Sequence, residues 1–121
     1  MTNKKTVVIG ASTKPERYSN KAIRLLRRHG HPVEAIGLRH GEVSDVSIKT
    51  GFPELEDVHT FTIYMQPQRQ KPFYEYIVKL KPKRVIFNPG TENDELINLL
   101  ESNGIEVAEN CTLVMLNTGL F

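Results

Sequence analysis

Apolar residues in this chain come in short runs, separated by stretches in which they recur every three or four positions. Residues 5–10 (KTVVIG) are a β-branched run, which predicts a buried strand. The polar stretch 11–19, which contains a proline, predicts a loop. Over 20–29 the apolar positions Ala22, Ile23, Leu25 and Leu26 cluster on one side of a helix. Ser19 is its expected N-cap and Gly30 lies just past its end. Arg27, Arg28 and His29 sit at the negative end of its dipole. A second strand is predicted over 33–38. Gly41, Gly51 and Pro53 break residues 39–57, leaving at most a short extended piece near 46–48.

The alternation of Phe61, Ile63 and Met65 predicts a third strand over 59–65, followed by a polar loop, 66–71, around Pro67. A helix over 72–80 opens on Pro72, where a missing N–H costs nothing, and carries Phe73, Ile77 and Leu80 at helical spacing. Residues 84–88 predict a fourth strand and Asn88-Pro89-Gly90 a turn. The helix over 92–103 has Thr91 as its expected cap, Asp94 as capping-box partner and Gly104 as its close. A fifth strand covers 105–109, and 112–117 predicts a last helical turn against the sheet.

Strands separated by helices of this length imply crossover units and a parallel sheet with helices on both faces. The expected fold is a single α/β domain over 1–121, Rossmann-like and doubly wound, with five mostly parallel strands in the order 3-2-1-4-5. Ligands of such sheets lie at the carboxyl ends of the strands, where the winding reverses.

The chain has 121 residues, of which 39% are hydrophobic, enough for one ordinary core. Its net charge of +2, from 16 basic and 14 acidic residues, does not by itself imply a nucleic-acid groove. No apolar run approaches the ~18 residues of a membrane span. The opening residues lack the longer apolar region and cleavage site of a secretory signal. A lone cysteine, Cys111, allows no internal disulfide and no thiolate metal cage. These features together fit a cytoplasmic protein.

The loop after the first strand runs Gly10-Ala11-Ser12-Thr13-Lys14-Pro15-Glu16-Arg17-Tyr18-Ser19. Small residues after a buried strand let a phosphate approach the backbone, and the following helix start supplies N–H donors. Lys14 and Arg17 add charge; Ser12 and Ser19 add hydroxyls. The loop matches neither G-x-G-x-x-G nor the P-loop pattern. At the end of the second strand, NAD sites carry an acid that binds the ribose hydroxyls. Here that position holds Arg39, which suits a ribose bearing an extra phosphate, as in coenzyme A or NADP. Pro67 and Gly90 place turns at the same edge.

Gly10-Ala11-Ser12-x-x-Pro15, Ser19 before a helix ending in His29-Gly30, Pro67, Gly90 and Glu109-Asn110-Cys111 together resemble the stand-alone CoA-binding domain proteins. These are similar to the N-terminal domain of the succinyl-CoA synthetase alpha subunit. The likeness covers nearly the whole chain. It implies that Gly10, Ala11, Ser12, Lys14, Pro15, Arg17 and Ser19 take the pyrophosphate of coenzyme A and Arg39 the adenosine side. Pro67 and Gly90 would then line the pantetheine arm. The chain departs from the family pattern at residues 38–41 and 87–89. The synthetase's phosphohistidine lies in a second domain, so its activity does not carry over.

No catalytic constellation is legible, and the four histidines do not have metal-site spacing. Cys111 is either a small buried hydrophobe or a thiol facing the thiol end of the ligand. Glu92, Asp94 and Glu95 are accounted for by capping and the helix dipole. The expected function is non-catalytic binding of coenzyme A or an acyl-CoA, with a small-molecule cofactor as partner and neither nucleic acid nor membrane. An NAD(P)-binding protein and a protein-interaction module with a degenerate nucleotide site remain open beside it, as does homo-oligomerisation or an unknown protein partner.

Overall fold

The computed structural model describes residues 3–121. Strands are β1 (Thr6–Ala11), β2 (Val33–Gly37), β3 (Gly41–Val43), β4 (Val46–Lys49), β5 (Thr60–Ile63), β6 (Arg84–Phe87) and β7 (Glu106–Glu109). Helices are α1 (Tyr18–Arg28), α2 (Tyr74–Leu80), α3 (Asp94–Ser102) and α4 (Thr112–Thr118). The strands form one sheet in the order β3-β4-β2-β1-β5-β6-β7, parallel except for the β3/β4 pair.

The α/β class and the helices on both faces agree with the expectation, but the count and order of strands do not. Seven strands replace five. The strand expected third, now β5, pairs with β1 on the side away from β2, so the five expected strands run 2-1-3-4-5. One cause is a hairpin in the stretch where sequence shows only a short extended piece. β3 and β4 pair across the two-residue turn Ser44-Asp45, with Val43 opposite Val46, and β4 then pairs with β2. That edge of β2 is occupied, and the chain crosses to the free edge of β1. It crosses without a helix: residues 50–59 form an irregular strap, with positive φ at Gly51 and Asp57, that Gly51 and Pro53 keep out of helical conformation.

Two apolar layers sandwich the sheet. On one face Ile77 of α2 and Leu96 and Leu100 of α3 pack on Val7, Ile9, Phe61, Val85 and Phe87, with Val58 of the strap beside them. On the other, Ile23 and Leu26 of α1 and Met115 and Leu116 of α4 pack on Val8, Ala35 and Ile86, and the hairpin adds Val43, Val46 and Ile48. Each buried Val, Leu, Ile, Phe or Met among them contributes roughly 1.5–3 kcal/mol relative to exposure.

Two expected caps are corrected. Arg17, not Ser19, holds the N-cap position of α1, and no side chain caps it. Ser19 is buried inside the first turn. Asn93, not Thr91, caps α3, accepting from the Leu96 N–H at 3.2 Å. Thr91 is buried and donates to the Asn88 carbonyl at 2.7 Å. Ser19 lies two residues inside the true cap and Thr91 two residues before it, and the Thr91 hydroxyl is taken by a local carbonyl instead of the helix start. The ends of α1 and α3 are as expected. His31 N–H bonds the Leu26 carbonyl and Gly30 N–H that of Arg27, a Schellman pair, and Ile105 and Gly104 repeat it on Leu100 and Glu101.

Candidate functional site

The corrected strand order changes what the carboxyl edge of the sheet brings together. Along that edge the loops follow in the order β2, β1, β5, β6, β7. Arg39 comes first, then the Gly10–Ser19 loop, then Pro67, Gly90 and Cys111. The expected order would have left Pro67 on the far side of β2. The observed one sets it between the β1 loop and Gly90, so the candidate residues form one continuous track.

Close backbone contacts fix the track's centre. At Gly10 the register of β1 against β2 shifts and φ is +92°. A Cβ there would lie 3.0 Å from the Tyr64 carbonyl carbon, so the end of β5 could not approach. Gly37 is tighter still, since its Cβ would stand 2.5 Å from the Ala11 oxygen. A Cβ at Gly41 would stand 2.4 Å from Thr13 Cγ2, which places the 38–41 turn beside the β1 loop.

In that loop Ser12 Oγ accepts the Lys14 N–H at 3.1 Å, which leaves its own hydroxyl proton free to donate. Arg17 N–H bonds the Lys14 carbonyl at 3.1 Å. Lys14, Pro15 and Arg17 are exposed, as is Arg39 in the turn after β2. Ser19 differs from the expectation: the residue is buried in the first turn of α1, so its hydroxyl is not presented at the surface of the carboxyl edge.

Farther along, buried amides tie the loops together. Gln70 donates to the carbonyls of Met65 (2.9 Å) and Thr91 (2.8 Å) and accepts from Asn93 (2.9 Å), joining the loops after β5 and β6. Asn88 donates to Thr62 Oγ1 (2.7 Å) and the Ile63 carbonyl (2.9 Å) and accepts the Thr112 N–H (2.9 Å), joining β5, β6 and the start of α4. Sequence reading saw Asn88 only as a turn residue. The missed signal is a carboxamide closing the apolar run 85–87, where burial demands partners. Tyr64 sits beside Thr62 and Thr112, whose hydroxyls bond each other at 2.7 Å, and burial pushes its phenol up to about 12. Pro67 opens a short 3₁₀ turn; the Gly90 N–H is taken by the Glu92 carboxylate at 2.9 Å. Cys111 is half-buried in the N-cap position of α4.

The surface has concavities elsewhere. A groove of about 790 Å³ runs between strap residues 52–56 and α2, and a cleft of about 350 Å³ lies between α1 and the Ser44-Asp45 turn. Neither is lined by the candidate residues of the carboxyl edge. Among the described residues no group of three His, Cys, Asp or Glu side chains could hold a metal ion. Nor is any helix among them long and apolar enough to cross a membrane.

The family described as CoA binding domain matches residues 4–117. No curated protein matches the chain. Among solved structures, a crystal structure of an uncharacterized protein has 48% identity and a TM-score of 0.96, covering 100% of both chains. A protein from Thermus thermophilus has 23% identity and a TM-score of 0.86, covering 98% of this chain and 91% of its own. A hypothetical protein from Pyrococcus horikoshii OT3 has 24% identity and a TM-score of 0.86, covering 98% of this chain and 84% of its own. The last two show the shared fold.

Proposed function

The chain belongs to the CoA-binding domain family, and from that premise we propose that it binds coenzyme A, free or as an acyl thioester, along the carboxyl edge of its sheet without catalysing a reaction on it. The observation that carries this reading is the single track of loops from Arg39 through Ser12–Arg17 to Pro67 and Gly90. A long ligand with phosphates at one end and an uncharged arm at the other fits such a track. Arg39, Lys14 and Arg17 meet the phosphorylated end. Free N–H groups of the β1 loop and the start of α1 receive the diphosphate. The arm then lies over Pro67 and Gly90 toward Cys111. The absence of turnover is supported by how the polar groups here are engaged: Gln70 and Asn88 are held by the loops they join, and among the described residues neither Ser12 Oγ nor Cys111 Sγ has a histidine, lysine or carboxylate as hydrogen-bond partner. We take the site of action to be the cytoplasm.

Thermal shift with coenzyme A, its dephospho form, NADP and NAD at matched concentrations tests this. A ligand at ~100 times its Kd adds roughly 2.7 kcal/mol to stability. Coenzyme A is expected to give the largest shift. A clear shift with NADP and none with coenzyme A would overturn the reading, and no shift with any would favour an interaction module. Arg39→Glu is expected to weaken coenzyme A more than the dephospho form; equal weakening would remove Arg39 from the ribose phosphate.

A further inference from the structure

Two side chains of α1 that sequence reading passed over grip the β1 loop. Asn20, only 3% exposed, donates from Nδ2 to the Ser12 carbonyl at 2.9 Å. Its Oδ1 accepts from Arg24 Nε at 2.8 Å, and Arg24 Nη2 donates to the Pro15 carbonyl at 3.1 Å. One helical turn apart, the pair therefore closes on two carbonyls of the loop.

In a planar trans peptide the C=O of one residue and the N–H of the next point in opposite directions. Drawing the Ser12 and Pro15 carbonyls toward α1 turns the Thr13 and Glu16 N–H groups the other way. Neither N–H has an acceptor among the described residues, whereas those of Lys14 and Arg17 are engaged within the loop. The same grip keeps two carbonyl oxygens, which would repel an anion, away from the side that the amides face.

We propose that Asn20 and Arg24 are positioning residues that pre-set the β1 loop as a diphosphate receiver by aiming the Thr13 and Glu16 amides at the ligand. Arg24 acts through its fork, not its charge: Nε is committed to Asn20 and Nη2 to Pro15. A lysine has one nitrogen and cannot span both acceptors. Asn20 must both donate and accept, which aspartate of the same shape cannot do once ionised. The assignment of ligand class rests on the coenzyme A reading above.

The test uses Arg24→Lys, Arg24→Ala and Asn20→Asp in the full chain, with two readouts. Backbone order parameters of Thr13, Lys14 and Glu16 are measured without ligand, and coenzyme A affinity by calorimetry. In Arg24→Lys the order parameters are expected to fall from about 0.85 to below about 0.6. Its Kd is expected to rise about tenfold, the cost of ordering the loop on binding, with the melting temperature unchanged. Arg24→Ala should match Arg24→Lys, and Asn20→Asp should show the same loosening. If lysine restores what alanine loses, Arg24 contributes charge and the proposal is overturned; unchanged order parameters in all three variants overturn it equally. A wild-type chain that does not bind coenzyme A overturns the functional reading instead, and the order parameters still decide whether the pair holds the loop.

Discussion

His31 shows how one residue carries the local balance at the amino edge of the sheet. It is buried, and its Nδ1 accepts the Lys4 N–H at 3.0 Å, so the ring must be neutral with its proton on Nε2. Its ring meets that of Phe121 at 5.0 Å, and the Arg84 guanidinium lies 4.3 Å from the same Phe121 ring. Burial first, then the charges of Lys4, His29 and Arg84, holds the His31 pKa below its ordinary 6.5. Burial likewise lowers His59, with Arg84, Lys4 and Lys83 adding and Glu106 opposing. The unfolded chain therefore takes up these protons more readily than the folded one. Stability from this source is complete above the unfolded value and is lost as pH falls toward the lowered folded values. Melting temperature is thus expected to drop between pH 7.5 and 5, and His31→Asn, which keeps an acceptor but cannot titrate, should flatten the drop. An unchanged slope in that variant would exclude His31. None of this is legible in the local sequence, because the partners of His31 come from residues 4, 84 and 121.

Among the elements, the hairpin shows where periodicity runs out. β3 and β4 have three and four residues, too short for alternation to register, and Ser44 at the turn adopts φ +58° without being the glycine or asparagine that signals such turns. The longer elements were read within a few residues, because an amphipathic helix and a buried strand each repeat their pattern several times. The hairpin also sets the tolerance of the β1 loop, since it holds β2 between β4 and β1. Gly37→Ala would drive a Cβ to 2.5 Å from the Ala11 oxygen and 3.0 Å from Ile48 Cγ2, with backbone on one side and a packed core on the other. Chemical denaturation is expected to show a loss of about 1–3 kcal/mol; a neutral substitution would mean that the loop gives way freely and is not held from this side.

Across the whole molecule, charge is distributed unevenly. Nine of the 16 basic residues lie within positions 1–41 against two acidic ones, while positions 85–121 contain six acidic residues and no Lys or Arg. Along the carboxyl edge the sheet order turns this into a spatial gradient, from Lys14, Arg17 and Arg39 after β1 and β2 to Glu92, Asp94, Glu95 and Glu109 after β6 and in β7, while Lys79, Lys81, Lys83 and Arg84 lie toward the opposite edge, before and at the start of β6. Such a field draws an anionic ligand toward the β1 loop and is screened by salt, the Debye length falling from about 10 Å at 0.1 M to about 3 Å at 1 M. Coenzyme A affinity is accordingly expected to weaken severalfold between those ionic strengths; a salt-independent Kd would mean that contacts to the uncharged arm dominate. The near-neutral total concealed this, because a net charge sums over positions that folding keeps apart. The sequence by itself determined the α/β class, the major helices and strands, and the small, basic loop after the first strand, all of which are local patterns that repeat or sit at strand ends. Only the tertiary structure decided the strand order, the continuity of the edge from Arg39 to Gly90, and the grip of Asn20 and Arg24 on the loop. Those depend on which free strand edge remains when the chain returns and on which carbonyls lie within reach of a side chain, and neither is written in the spacing of residues along the chain.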